Sequence, residues 1–110
     1  MGQCLFCDMV EGKVPAEKLY EDDTIFVIKD INPKAKVHLL VIPKIHIANL
    51  QDVQEEHGDL LGYMMTSLKN FAQQQNIDSF RTIINTGKDS GQEIYHLHFH
   101  LLGGGPLPKF

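Results

Sequence analysis

His96-Leu97-His98-Phe99-His100-Leu101-Leu102 alternates three imidazoles with large apolar residues. A period of two is the signature of a strand, so the three histidines are expected on one face and Leu97, Phe99 and Leu101 on the other. One face then packs while the other is free for chemistry. Alternate strand residues stand roughly 6.5 to 7 Å apart, which lets three imidazoles serve one phosphate-sized group, or two of them hold one metal ion. Side by side they penalise one another's protonation, so at least one ring stays neutral near neutral pH and keeps a nucleophilic nitrogen. The middle ring, His98, is the candidate nucleophile, with His96 and His100 orienting it or binding phosphoryl oxygens. A three-histidine catalytic metal site and a set of hydrogen-bonded core histidines are the competing accounts of the same residues.

Outward from this stretch, Gly103-Gly104-Gly105-Pro106 ends a predicted strand over Ile94–Leu102, and Phe80–Asn85 reads as a strand before the polar loop Thr86–Gly91. Between Asp59 and Gln75, the residues Leu60, Leu61, Met64, Met65, Leu68, Phe71 and Ala72 recur at helical spacing and predict one long amphipathic helix. Val37–Ile42 is a nearly continuous apolar run closed by Pro43, with His38 its one polar member, and predicts a buried central strand. Leu19-Tyr20 and Thr24–Ile28 read as two short strands turned at Glu21-Asp22-Asp23. Strands in runs with one dominant helix imply an α+β fold with a mainly antiparallel sheet. With no repeat, linker or low-complexity tract, residues 1–110 read as one domain.

Composition narrows the function classes. The net charge is −4 and Lys34, Lys36, Lys44 and Lys88 are scattered, so the basic stripe that binds long nucleic acid is missing. No apolar run reaches the length of a membrane span and no cationic, apolar leader opens the chain, so the expected location is the cytoplasm. In a reducing cytosol the close pair Cys4 and Cys7 reads as metal ligands, as a redox dithiol or as free thiols, ahead of a structural disulfide. Asp30 precedes the Asn32-Pro33 turn, where a carboxylate can accept both hydroxyls of a ribose or cap the turn. Asn85 and Gln92 carry amides that can donate to phosphoryl oxygens without adding charge. His38, in its apolar strand, reads as a hydrogen-bonded core histidine, and His57 as a solvated surface residue.

The alternating histidines, Leu40-Val41-Ile42-Pro43-Lys44 ahead of His46, Asn85, and Gly91-Gln92 with Tyr95-His96 together resemble the Hint branch of the histidine triad superfamily, from about Cys4 to Gly104. The resemblance implies a five-stranded, mainly antiparallel sheet with one long helix and a short N-terminal helix. It implies a purine nucleoside phosphoramidase or a related hydrolase of acyl or sulfated adenylates, working through a nucleotidyl-histidine at His98 with no cofactor for catalysis. His38 would then support the triad, Asp30 would bind ribose, and Ile31, Leu5, Phe6 and Leu40 would wall the base. Asn85, Gln92 and His100 would meet the phosphate. Cys4, Cys7, His46 and His96 would hold a structural zinc, and two chains would form a homodimer through the long helix and sheet edges. A nucleotide-binding or protein-interaction module without turnover, and a zinc-dependent hydrolase, are the alternative functions. Glu93 departs from the pattern, standing where some of these proteins have a phosphate-contacting serine; since a carboxylate there repels phosphate, it is expected to point elsewhere. The tail Pro106–Phe110 also departs, in lacking tryptophan.

Overall fold

The apolar run Val37–Pro43 forms a strand, β3, buried along nearly its whole length. In the computed structural model, which describes residues 4–110, β3 lies at the centre of a five-stranded antiparallel sheet. The other strands are β1 (Tyr20–Glu21), β2 (Ile25–Lys29), β4 (Phe80–Ile83) and β5 (Phe99–Gly103), in spatial order β1-β2-β3-β5-β4. A short helix, α1 (Leu5–Val10), and a long one, α2 (Gly58–Gln74), complete the α+β architecture.

Strand parity sorts the side chains into two layers. Ile25 and Val27 of β2, Leu39 and Val41 of β3, and Phe99 and Leu101 of β5 pack together with Met64, Leu68, Phe71 and Ala72 of α2. Their alternates, Phe26, Ile28, Leu40 and Ile42, pack on the opposite face with Phe6 of α1. The buried residues of α2 recur at the spacing of one helical stripe, and the helix stops in a left-handed turn at Asn76. There Ile77 N–H bonds the Ala72 carbonyl at 3.0 Å and Asn76 N–H bonds that of Gln73 at 3.0 Å, which satisfies carbonyls the helix would otherwise orphan. Among the described residues no helix is long and apolar enough to cross a membrane.

The last strand is shorter than its alternation predicts. Pairing of β3 with β5 runs from Val37↔Gly103 to Val41↔Phe99 and goes no further. Beyond it Pro43 has no N–H to offer, and its carbonyl is taken by His96 Nε2 at 2.8 Å. Leu97 N–H turns instead to the Ile47 carbonyl at 2.6 Å. The stretch 94–98 is thus held outside the ladder, although Leu97 still joins the α2 layer. His57, read as a surface residue, has a structural use as well: its Nδ1 accepts the Gln54 N–H at 2.9 Å and closes a single 3₁₀ turn before α2.

Two glycines test this packing in opposite directions. A Cβ on Gly103 would sit 2.7 Å from Ile77 Cδ1 and 2.9 Å from the Ser79 carbonyl oxygen, whereas one on Gly62, exposed within α2, meets nothing within 4 Å. In denaturant titrations Gly103→Ala is expected to cost about 1–3 kcal/mol. Gly62→Ala is expected to add about 0.5–1 kcal/mol.

Candidate functional site

His38, His98 and His100 line one cavity of about 590 Å³ on the sheet face opposite α2. Pairing Asp30 N–H to the His38 carbonyl, His38 to Leu102 and Leu102 to Arg81 lays one row of residues across the sheet. One row on, Leu40 pairs with His100 and His100 with Ile83. Asp30 and Arg81 therefore stand at opposite ends, and the imidazoles lie between them.

Hydrogen bonding fixes which nitrogen of each ring carries the proton. The Lys34 backbone N–H can only donate, and it lies 3.0 Å from His38 Nδ1, so that nitrogen holds a lone pair and Nε2 the proton. His38 Nε2–H then donates to His100 Nδ1 at 2.9 Å, with Asp30 Oδ2 3.4 Å away, which leaves the His100 proton on Nε2. A carbonyl can only accept, so His98 Nδ1–H donates to the His96 carbonyl at 2.7 Å and His98 Nε2 is an unprotonated nucleophile. The rings are kept neutral by burial, which lowers the pKa of His38 and His98 and takes that of His100 down to about 4, where His98 and His38 push the same way.

His96 does not join this row. Its ring is fully buried, donates from Nε2 to the Pro43 carbonyl, and so presents a bare Nδ1 to a second cluster. That nitrogen lies 3.2 Å from Cys4 Sγ, 3.5 Å from Cys7 Sγ and 3.2 Å from His46 Nδ1. His46 Nδ1 is in turn 3.5 Å from Cys4 Sγ and 3.3 Å from Cys7 Sγ. Tetrahedral zinc, with Zn–S of about 2.3 Å and Zn–N of about 2.0 Å, needs S···N edges of about 3.5 Å and an N···N edge of about 3.3 Å. These five edges lie within about 0.3 Å of that tetrahedron, and the chemistry of the donors fits the ion. Without a metal, burial and neighbouring Cys4 push the Cys7 thiol up to about 11, so loading releases a proton. The competing arrangement, a three-histidine metal site, is not assembled, because His96 faces the cysteines and His98 and His100 face the cavity.

The remaining expected residues separate cleanly. Leu5, Phe6, Ile31, Leu40, Asp30 and Asn85 all border the cavity. Asp30 is both turn cap and wall: its Oδ1 accepts Asn32 N–H at 2.8 Å while Oδ2 faces His38. Gln92 does not border the cavity. Its Oε1 accepts from Asn49 and Gly87, and its Nε2 donates to the Ala48 and Ile94 carbonyls, so the buried amide has nothing left for a phosphate. Glu93, expected to point elsewhere, borders the cavity. Sequence reasoning missed Arg81, which lines the same cavity and donates from Nη2 to the Pro108 carbonyl at 2.7 Å. Its signal was parity with Ile83 and Asn85 on one strand.

Residues 3–105 match a family model described as scavenger mRNA decapping enzyme C-term binding. The purine nucleoside phosphoramidase of Escherichia coli (strain K12) is 41% identical over 107 residues, covering 96% of this chain and 90% of that protein. A HIT family hydrolase from Legionella pneumophila superposes with a TM-score of 0.93 at 40% identity, with 96% of each chain covered. A Zn-bound histidine triad family protein from Mycobacterium smegmatis gives a TM-score of 0.78 at 33% identity, over 91% of this chain and 73% of that one.

The neutral rings give stability a defined dependence on pH. His100 takes up its proton near pH 4 when folded and near its ordinary 6.5 when unfolded, so within that window the unfolded chain holds more protons. Stability is therefore expected to fall as the pH is lowered through the window and to gain nothing from this group above it. Denaturant midpoints measured across the range check the slope. His100→Asn, whose Oδ1 can still accept from His38, is expected to flatten it.

Proposed function

We propose for this chain, which belongs to the histidine triad family, hydrolysis of purine nucleoside phosphoramidates, or of acyl or sulfated adenylates, to nucleoside monophosphates through a nucleotidyl-His98 intermediate. The observation that carries this reading is the bare His98 Nε2 on the wall of a cavity that also has an apolar side (Leu5, Phe6, Ile31, Leu40) and a carboxylate at Asp30. His98 Nε2 attacks the α-phosphorus and the bond to the leaving group breaks, an amine leaving group taking one proton from solvent as it departs. The ring becomes cationic as it bonds to phosphorus, and the His96 carbonyl, already accepting from Nδ1, stabilises that charge. His100 Nε2–H donates to a phosphoryl oxygen, and the Lys34–His38–His100 chain holds it in that tautomer. Water then attacks the same phosphorus from the side the leaving group vacated, and His98 is regenerated.

The set Cys4, Cys7, His46 and His96 holds zinc in this reading, supported by its tetrahedral edges and by the Zn-bound relative. Bound by these four side chains, zinc would supply a crosslink between α1 and the segment ahead of β5 and no catalytic chemistry. A homodimer is part of the same proposal, on the open edge of β4 and the exposed Tyr63 and Met65 of α2.

Intact-mass measurement after mixing with a slowly hydrolysed adenosine phosphoramidate is expected to show a nucleotidyl adduct on the wild type and none on His98→Ala. The variant is expected to lose about 10³-fold or more in kcat/KM across a panel of purine substrates. Undiminished hydrolysis by His98→Ala would sink the mechanism. Separately, elemental analysis should find near-stoichiometric zinc in the wild type and a large loss in Cys4→Ser; full occupancy in that variant would remove the cysteine assignment.

A further inference from the structure

Phe6 stands between the two histidine groups. Its side chain is 1% exposed and meets the His96 ring edge-on at 5.7 Å and the His98 ring edge-on at 5.3 Å, with Phe26 behind it at 6.5 Å. It therefore touches both a ring of the metal set and the ring of the nucleophile. It also lies in α1 between Cys4 and Cys7, and α1 carries the cavity residues Leu5, Phe6 and Met9. Cys4 caps this helix, its sulfur accepting the Cys7 N–H at 3.3 Å.

A helix of six residues does not persist on its own propensity, so α1 owes its position to the contacts at its two sides. One side is the thiol pair facing His46 and His96, and the other is the cavity wall. We propose that Phe6 is a positioning residue that links the two sites, so that metal in the Cys4/Cys7/His46/His96 set and nucleotide in the cavity each tighten the binding of the other. The inference rests on the nucleotide reading above. A metal drawing four donors together fixes α1 and, through Phe6, the plane of His98. A nucleotide packing on Leu5, Phe6 and Met9 fixes the same helix from the other side. The second ligand to arrive then orders less of the chain, and linkage makes the gain reciprocal.

The test is zinc affinity of the full chain, measured by competition with a chromogenic chelator, with and without saturating adenosine 5′-monophosphate and corrected for zinc held by the free nucleotide. Zinc is expected to bind at least about fivefold tighter with nucleotide present. Calorimetry of the nucleotide with zinc-loaded and zinc-free protein should return the same factor. In Phe6→Leu, or Phe6→Met should the first variant not fold, zinc still binds but the factor is expected to fall below about twofold, which a helix held only by its thiols would not show. Nucleotide binding with unchanged zinc affinity would overturn the linkage alone. Failure of the zinc-loaded chain to bind the nucleotide at all would overturn the function proposed above and the linkage with it.

Discussion

Imidazoles packed with centroids 5.0 Å apart (His98–His100) and 5.2 Å apart (His38–His100) on a buried sheet face cannot all carry charge. Neutrality gives each ring one donor and one acceptor, and from that point backbone groups that can play only one part settle the rest. Lys34 N–H sets His38, His38 sets His100, and the His96 carbonyl sets His98. Protonating His38 or His100 would turn an acceptor into a donor facing another donor. The order of the site is thus a consequence of burial, and the sheet is what maintains the burial.

That maintenance comes from the opposite face. Leu97, Phe99 and Leu101 alternate with the histidines and are locked into the layer that includes Met64, Leu68 and Phe71 of α2. A one-residue slip of β5 would send His100 into that apolar layer and Phe99 and Leu101 into the cavity, so the register is strongly specified. The hydrogen-bonded turn at Asp22 adds a tie between the sheet's outer hairpin and the helix. Asp22 accepts Thr24 and Ile25 N–H at 2.7 and 2.8 Å through Oδ1, and the Tyr20 and Tyr63 hydroxyls through Oδ2. Tyr63 belongs to α2, so the helix is fastened at its polar side as well as its apolar one.

Most of this was legible in residue pattern because burial and period are written together. The α2 stripe placed the helix within one residue at each end, the run Val37–Ile42 placed the central strand, and the alternation sorted His98 and His100 from Phe99 and Leu101. What pattern could not supply was the identity of hydrogen-bond partners. Period two carries no record of Pro43 having no N–H to offer, so the last strand reads five residues too long at its start. Gln92 looks like any amide near a glycine turn until Asn49, Gly87, Ala48 and Ile94 are found around it. Arg81 shares strand parity with Asn85, but that parity names a face only once β4 is paired with β5.

The separation of His96 from its two sister residues has a structural cause in that same loss of pairing. On a continued ladder all three rings would stand in one line, and a single ligand could bridge them. Once the chain leaves the ladder before Phe99, the peptide after His96 is no longer committed to a neighbouring strand, and its carbonyl becomes available to His98 Nδ1. The ring of His96 is freed to turn toward the N-terminal segment at the same point. One residue therefore serves both centres, its ring facing the thiols and its backbone oxygen orienting the nucleophile. A side chain at position 96 that filled the space without reaching the cysteines could keep the carbonyl but would leave its placement to the Pro43 and Ile47 segment alone. The shortening of β5 is thus what allows one short stretch of alternating histidines to build two chemically distinct sites.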